Sequence, residues 1–171
     1  MCVSGQYCEG HLLLLLKILQ TSKDPSIRSN IVIALGDIAV SFGNLIDDVS
    51  DYFASNKANN QNSERLYQGL SDSSGSVKKN TLMVLTHLIL NGMIKVKGQL
   101  GEMAKCLEDP DPRISDLAKL FFKELSTKDN ALYNNLQDVI SHLSVGKFKV
   151  DEESFEKTMR FIFTFIEKVH T

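Results

Sequence analysis

Three segments of the chain begin with the same pattern of polar and apolar residues. The sequences DPSI, SGSV and DPRI start at Asp24, Ser74 and Asp111. In each of them, a residue that caps helix N-termini lies three positions before a β-branched apolar residue. Two of the three also have proline at the first helical position. The pattern therefore predicts three helix N-termini of one type.

Apolar residues continue after each start with spacings of four, three and four. This spacing predicts one buried stripe on each amphipathic helix. The polar residues Asp37, His87 and Glu124 occupy equivalent positions in the three helices. The predicted stripes are Ile27, Ile31, Ala34 and Ile38 in the first copy, Val77, Thr81, Val84 and Leu88 in the second, and Ile114, Ala118, Phe121 and Leu125 in the third.

The three copies recur with a period that is typical of helical-pair repeats. The first interval is 77 − 27 = 50 residues and the second is 114 − 77 = 37, so the first is longer by 13. Residues 54–65, ASNKANNQNSER, account for most of this excess. They are polar and lack apolar periodicity, which predicts a mobile surface insertion. Without the insertion, the period is close to the roughly 40 residues of HEAT repeats.

Each first helix is followed by a turn and a second apolar segment, and Asp151–His170 predicts a further helix. Because a single helical pair cannot bury its own apolar stripe, stacked neighbours must share a core. We therefore predict an all-α fold, a right-handed α-solenoid of about three to four HEAT-type helical-hairpin repeats. We expect residues 1–171 to be a single HEAT-repeat segment, a fragment of a longer subunit with an exposed repeat edge at its N-terminal side.

Composition limits the classes of function. The formal charge of −2, from 19 Lys and Arg against 21 Asp and Glu, argues against the broad basic surface of a free-standing nucleic-acid-binding domain and leaves room for a local patch. The apolar run His11–Leu19 is much shorter than the roughly 20 residues of a bilayer span, so it predicts a buried helix and no membrane association. The scattered Cys2, Cys8 and Cys106 predict free thiols in the nucleus or cytoplasm.

The sequence offers no constellation for catalysis. Its four histidines are dispersed, and it contains neither a nucleophile elbow nor a phosphate-binding glycine motif. Cys8 and His11 could share a metal, but a structural zinc needs four ligands and only Cys2 is near them. We therefore predict a protein that is not an enzyme and that has no cofactor and no metal.

The segment NGMIKVKGQLGEMAK, Asn91–Lys105, carries a candidate binding loop. Lys95 and Lys97 precede Gly98, which lies near the predicted start of the second helix of the second repeat. Backbone N–H groups at a helix start, next to a cation, can bind a carboxylate or a phosphate. A solvated loop with a glycine-assisted turn fits the same residues, and the residues alone favour that interpretation.

Longer strings of the sequence identify a family. They are SIRSNIVIALGDIAVSFGNLID at 26–47, THLILNGMIKVKGQ at 86–99 and AKLFFKELSTKDNALYN at 118–134. These strings closely resemble the C-terminal HEAT-repeat region of the condensin complex subunit 1 family, and the resemblance extends from Met1 to about Ile166. The insertion at 54–65 and the short length of the chain depart from the family pattern.

The resemblance implies a non-catalytic, architectural role. A subunit of this family binds the kleisin subunit of condensin, contacts the ATPase head of an SMC subunit and helps the complex to hold and compact chromosomal DNA. Its expected location is the nucleus and cytoplasm, and mitotic chromosomes during division. In the family a lysine–glycine loop contacts the SMC head, and the resemblance assigns that role to Lys95, Lys97, Gly98 and Gln99 of KVKGQ.

Two other functions stay open at the level of the residues. One is a generic HEAT adaptor for transport or phosphatase assembly, unrelated to condensin. The other is direct binding of double-stranded DNA by a local group of lysines, which would weaken steeply with salt because each phosphate contact releases counterions. The lysines of this DNA hypothesis are Lys78, Lys79, Lys95, Lys97 and Lys105.

Overall fold

The computed structural model describes residues 4–42, 69–94, 100–128, 130–145 and 149–166. Within these ranges there are helices and no strands, which confirms the all-α class. Two short 3-10 helices, Gly69–Ser71 and Cys106–Glu108, accompany the α-helices. The α-helices are α1 (Gly5–Thr21), α2 (Pro25–Ser41), α3 (Gly75–Leu90), α4 (Leu100–Lys105), α5 (Pro112–Ser126), α6 (Ala131–Asn134), α7 (Leu136–Ser144) and α8 (Glu152–Ile166).

The chain divides into two compact units, Met1–Ile94 and Lys95–Thr171. The first unit contains α1 to α3 and the second contains α4 to α8. The predicted insertion at 54–65 lies outside the described residues. The assignment of 1–171 to one HEAT-repeat segment stays a prediction.

All three predicted helix N-termini are confirmed, because α2, α3 and α5 each begin one residue after the predicted cap. The Asp24 carboxylate accepts a hydrogen bond from the backbone N–H of Ser26 at 2.8 Å. The Asp111 carboxylate accepts the equivalent bond from Arg113 at 2.9 Å. Ser74 starts α3 without a side-chain cap bond. An aspartate side chain therefore satisfies one backbone N–H group at two of the three helix starts, and the Ser74 side chain does not do so at the third.

In the first unit, α2 and α3 pack side by side and run in parallel. Asn80 on α3 donates a hydrogen bond to the Ser29 hydroxyl on α2 at 2.5 Å. Further along both helices, Gly36 contacts Val84, and Ala39 packs with Leu88. The contacting pairs keep a nearly constant sequence offset, which only a parallel arrangement gives. Adjacent first helices of stacked helical-pair repeats are related in this way.

The predicted buried stripe is confirmed on α5, is confirmed on α3 except that Val84 is half-buried, and is partly wrong on α2. Ile114, Ala118, Phe121 and Leu125 are all buried. Ile27, by contrast, is 44% exposed. The buried side of α2 includes the small residues Ser29, Gly36 and Ala39, which let α3 approach closely. The contact with α3 therefore determines which face of α2 is buried, and the spacing of its large apolar residues does not. The buried residues of α2 are Ser29, Ile31, Val32, Leu35, Gly36 and Ala39.

The leucine run of α1 is only half covered. Leu12 and Leu16 are buried, whereas Leu13 is 67% exposed and Leu14 is 53% exposed. The prediction of a buried helix for this run is therefore confirmed for one side of α1 and wrong for the side that carries Leu13 and Leu14. Among the described helices, none combines the length and apolarity that crossing a membrane requires.

The second unit has a core of aromatic and aliphatic side chains. Helix α4 packs on α7, and α8 packs on α5, α7 and the 3-10 helix Cys106–Glu108. Phe121 and Phe122 on α5 are fully buried, with their rings edge to face at 5.1 Å between centroids. The predicted further helix is confirmed as α8, and its Ile162 is also fully buried in this core.

A charged pair connects the starts of α2 and α3. The Arg28 guanidinium donates from Nε to Asp72 Oδ2 and from Nη2 to Asp72 Oδ1, both at 2.8 Å, and from Nη1 to the Ser22 carbonyl oxygen at 3.0 Å. The Asp72 carboxylate also accepts from the Ser74 backbone N–H at 2.8 Å. Burial alone would raise the pKa of Asp72, but these hydrogen bonds and the positive charges of Arg28 and Lys78 outweigh it and lower the pKa below its ordinary value of 3.8.

Replacing the Asp24 cap by alanine should lower stability. Asp24→Ala removes the acceptor of the Ser26 N–H, and we expect the free energy of unfolding to fall by about 1 kcal/mol. The equivalent change Ser74→Ala is the control, because Ser74 makes no side-chain cap bond and should change stability far less. Urea unfolding followed by circular dichroism measures both variants. Equal losses in the two variants would contradict the capping argument.

The Arg28–Asp72 pair should make stability depend on acid pH. A carboxyl group whose pKa is lowered by folding contributes stability above its unfolded pKa and loses that contribution as the pH falls through its folded pKa. We therefore expect Asp72→Asn to be less stable than the wild type at about pH 7, and the difference to shrink towards about pH 3. Urea unfolding across this range is the measurement. Asp116→Asn, which removes a carboxylate from an exposed ion pair with Lys119, controls for the loss of one negative charge.

Candidate functional site

The lysine–glycine segment is the first candidate site. Its members Lys95, Lys97, Gly98 and Gln99 lie outside the described residues. The residues on either side of it are described: Ile94 is half-buried at the end of the first unit, and Leu100 is buried at the first position of α4. The segment therefore precedes a helix start directly, as its sequence predicted.

The remaining lysines of the DNA hypothesis lie in different units. Lys78 and Lys79 are near the start of α3 in the first unit, where Lys78 is half-buried and Lys79 is exposed. Lys105 ends α4 in the second unit, and its Nζ lies 3.2 Å from the Glu102 carboxylate. A lysine that already neutralises a carboxylate has less charge to offer a phosphate, so Lys79 is the residue of this set most open to such a contact.

One exposed apolar residue recurs at the same position of three helices. Ile33 on α2, Met83 on α3 and Leu120 on α5 are separated by 83 − 33 = 50 and 120 − 83 = 37 residues, the same intervals as the helix starts. Their exposed fractions are 42%, 47% and 51%. Four residues further along each helix comes an exposed polar residue, and these are Asp37, His87 and Glu124.

In the first unit, this recurrence gives a mixed apolar and polar surface. Ile33 and Met83 belong to the solvent-facing side of the packed α2–α3 pair, with Asp37 and His87 beside them. Such a surface offers apolar area for burial and polar groups for hydrogen bonds, which is the composition of protein-binding surfaces.

A buried polar cluster connects α4 with α7 in the second unit. Glu102, in the first turn of α4, is only 8% exposed. Its Oε1 lies 2.7 Å from His142 Nε2 on α7 and 3.2 Å from Lys105 Nζ. Gly101 lies against the His142 ring, and a Cβ at position 101 would collide with that ring. The cluster fixes the side of α4 that faces α7.

Within the described residues, no group of three or more His, Cys, Asp or Glu side chains is arranged to hold a metal ion. Cys106 is buried, and its Sγ lies 3.8 Å from the backbone carbonyl oxygen of Glu102. The His11 Nδ1 lies 2.8 Å from the Tyr7 carbonyl oxygen, and its ring stacks on Tyr7 at a centroid distance of 4.1 Å. His11 therefore has a local structural partner.

Sequence reasoning missed two of these features. The recurrent exposed residues Ile33, Met83 and Leu120 carried a detectable signal, since the intervals between them match those of the helix starts. The Glu102–His142 contact joins residues 40 positions apart, and no local pattern in the sequence marks it.

Comparison with known proteins identifies the family. The profile of the family described as non-SMC mitotic condensation complex subunit 1 matches residues 26–171. Condensin complex subunit 1 of Saccharomyces cerevisiae is 49% identical over 168 residues, which cover 98% of this chain and 13% of the yeast protein. Its counterpart in Schizosaccharomyces pombe is 46% identical over 170 residues, covering 98% of this chain and 14% of that protein.

The fold also has a match among solved structures. The crystal structure of an engineered protein aligns with a TM-score of 0.55 and 18% identity, covering 93% of this chain and 63% of that one. At this identity, the match supports the helical fold alone. The chain spans 13 to 14% of the length of the two yeast relatives. The profile match and the two relatives together make this chain a member of the condensin complex subunit 1 family.

Proposed function

We propose that this chain is a non-catalytic HEAT-repeat scaffold segment of condensin. It contacts the ATPase head of an SMC subunit and the kleisin subunit, reaches chromosomal DNA through the complex, and supports the condensation of mitotic chromosomes. Its location follows from that role: the nucleus and cytoplasm, and chromosomes during mitosis. It has no membrane partner and needs no cofactor.

The observation that carries this proposal is family membership over nearly the whole chain, with 49% identity across 98% of its residues. Membership in this family also removes the generic HEAT adaptor unrelated to condensin. The recurrent exposed residues Ile33, Met83 and Leu120 support a protein-binding role, because apolar side chains that the fold itself does not bury can be covered by a partner.

The lysine–glycine segment is the proposed contact with the SMC head. Gly98 permits a close approach of the backbone to a partner. Lys97 then pairs with an acidic group on the head, and Lys95 adds a second positive charge. This assignment rests on the resemblance of KVKGQ to the family's loop and on its position directly before α4.

The experiment is a pull-down from mitotic extract with a condensin complex subunit 1 that carries this segment. We compare the wild type with Lys95→Glu plus Lys97→Glu and quantify the SMC, kleisin and histone proteins that are recovered. We expect SMC recovery to fall about tenfold while kleisin recovery is unchanged, because a reversed charge repels the acidic partner. Thermal unfolding must first show that the variant is as stable as the wild type.

A matched control separates docking from general electrostatics. Lys17→Glu plus Lys79→Glu makes the same change of charge at two exposed lysines of the first unit. It should leave SMC recovery unchanged. Loss of histone and DNA recovery with this control, with SMC recovery intact, would favour direct DNA binding instead. Equal SMC losses in both double variants would contradict a specific head contact at Lys95–Gln99.

A further inference from the structure

The outward side of α2 carries a carboxylate between two exposed apolar side chains. Ile33, Asp37 and Val40 follow one another at spacings of four and three residues, so they lie on one face of the helix. Asp37 is exposed, and the exposed fractions of Ile33 and Val40 are 42% and 45%. The fold therefore leaves this carboxylate in water, with an uncovered apolar side chain one turn before it and another one turn after it.

Met83 on α3 extends this surface. Because α2 and α3 run in parallel with Gly36 against Val84, Met83 lies within one turn of the level of Ile33. Met83 is 47% exposed. Exposed apolar side chains at similar levels of two packed helices form an area that a partner can cover. We call the four residues Ile33, Asp37, Val40 and Met83 the Asp37 face.

The surroundings of Asp37 differ from those of exposed carboxylates in the second unit. Asp116 on α5 pairs with Lys119, and Glu153 on α8 pairs with Lys157, so each of these carboxylates has a cation one turn away on its own helix. Within the part of the chain that the structure describes, no residue pairs with the Asp37 carboxylate. The residues one turn from it, before and after, are Ile33, Ala34, Val40 and Ser41. None of these four is a cation, so α2 itself supplies no counter-charge.

We propose that the Asp37 face docks an amphipathic helix of another protein subunit, and that a lysine or arginine of that helix pairs with the Asp37 carboxylate. Ile33 and Val40 are 40 − 33 = 7 residues apart, which is about 10 Å along the helix axis. The apolar stripe of a second helix repeats at the same interval, whereas side chains on one face of a strand repeat about every 7 Å. The spacing therefore matches a helix laid along α2.

The carboxylate determines the charge of the docked helix. A partner that covers Ile33 and Val40 also removes water from Asp37 between them, and a carboxylate without water needs a hydrogen-bonded cation. An apolar helix with a lysine or arginine at this level supplies the cation, and an acidic helix is repelled. This inference rests on the proposed function, in which the chain is a scaffold within an assembly, and it adds a docking surface and the chemistry of its partner.

Photo-crosslinking in the purified condensin complex tests the docking. Met83→p-benzoylphenylalanine is introduced into a condensin complex subunit 1 that carries this segment, and mass spectrometry identifies the crosslinked peptide. Lys23→p-benzoylphenylalanine is the control, because Lys23 is exposed between α1 and α2. We expect the Met83 position, and not the control, to crosslink to one helical segment of another subunit that has a lysine or arginine within one turn. A crosslink within the same chain or to a second copy overturns the proposal, as does the absence of any specific crosslink.

Charge reversal tests the ion pair. Asp37→Arg repels the partner's cation, so we expect the yield of the Met83 crosslink to fall about fivefold. Asp116→Arg reverses an exposed carboxylate of the second unit and should leave the yield unchanged. Changing the partner's cation to aspartate should restore the yield in the Asp37→Arg complex, because the pair then exists with its charges exchanged. Equal yields in Asp37→Arg and the wild type, or no restoration by the second change, contradict the pairing.

Recovery of the SMC and kleisin subunits with the same variants separates this inference from the proposed function. If the complex assembles and the Met83 position crosslinks to no other subunit, the docking surface fails and the scaffold role stands. If the wild-type subunit recovers neither SMC nor kleisin, the scaffold role fails, and the docking surface fails with it.

Discussion

The close approach of α2 and α3 at Gly36 is the constraint on which the first unit depends. A methyl group at Gly36 would lie 3.0 Å from both Cγ atoms of Val84, which is tighter than ordinary van der Waals contact. Glycine therefore lets the two helix backbones approach until Val84 lies against the α2 main chain. Because the helices run in parallel, that one contact also sets the register of Ala39 with Leu88 and of Ser29 with Asn80.

The same register explains the exposed surface. Once Gly36 faces Val84, Ile33 and Met83 are held on the solvent side of the two helices at corresponding heights. Asp37 and His87 follow one turn later on each helix. The repeat thus places like residues at equivalent positions of the two helices. Stacked repeats place equivalent residues on the same side of successive helices in this way.

Local chemistry determined how much of the fold the sequence could predict. The starts of α2, α3 and α5 were predictable because capping aspartate, serine and proline act on their own first turn. The buried face of α2 was not predictable, since its contact with α3 is made by Ser29, Gly36 and Ala39. A count of large apolar residues does not include these three. Ile27 fits the helical spacing and is nevertheless exposed. The spacing predicts which residues share one face of a helix, but it does not include the position of the neighbouring helix.

The same distinction between local features and contacts distant in sequence applies to the candidate site. Lys97 and Gly98 could be selected from the sequence because their residue types and their place before a helix start are local features. Glu102 and His142 could not, because a hydrogen bond across 40 residues exists only after α4 and α7 have packed. The dispersed histidines of the sequence therefore gave no sign that one of them completes a buried cluster.

Each unit has a largely buried polar contact at the first turn of a helix. Arg28 ties the start of α2 to Asp72, which lies three positions before the first residue of α3, and Glu102 ties the start of α4 to His142. Apolar side chains at these places could pack as well and avoid the desolvation of charge, so net stability is a weak reason for them. An apolar contact is non-directional, so it does not fix the orientation of a helix start. Directional hydrogen bonds at these two helix starts therefore restrict the orientation of each helix relative to the element on which it packs.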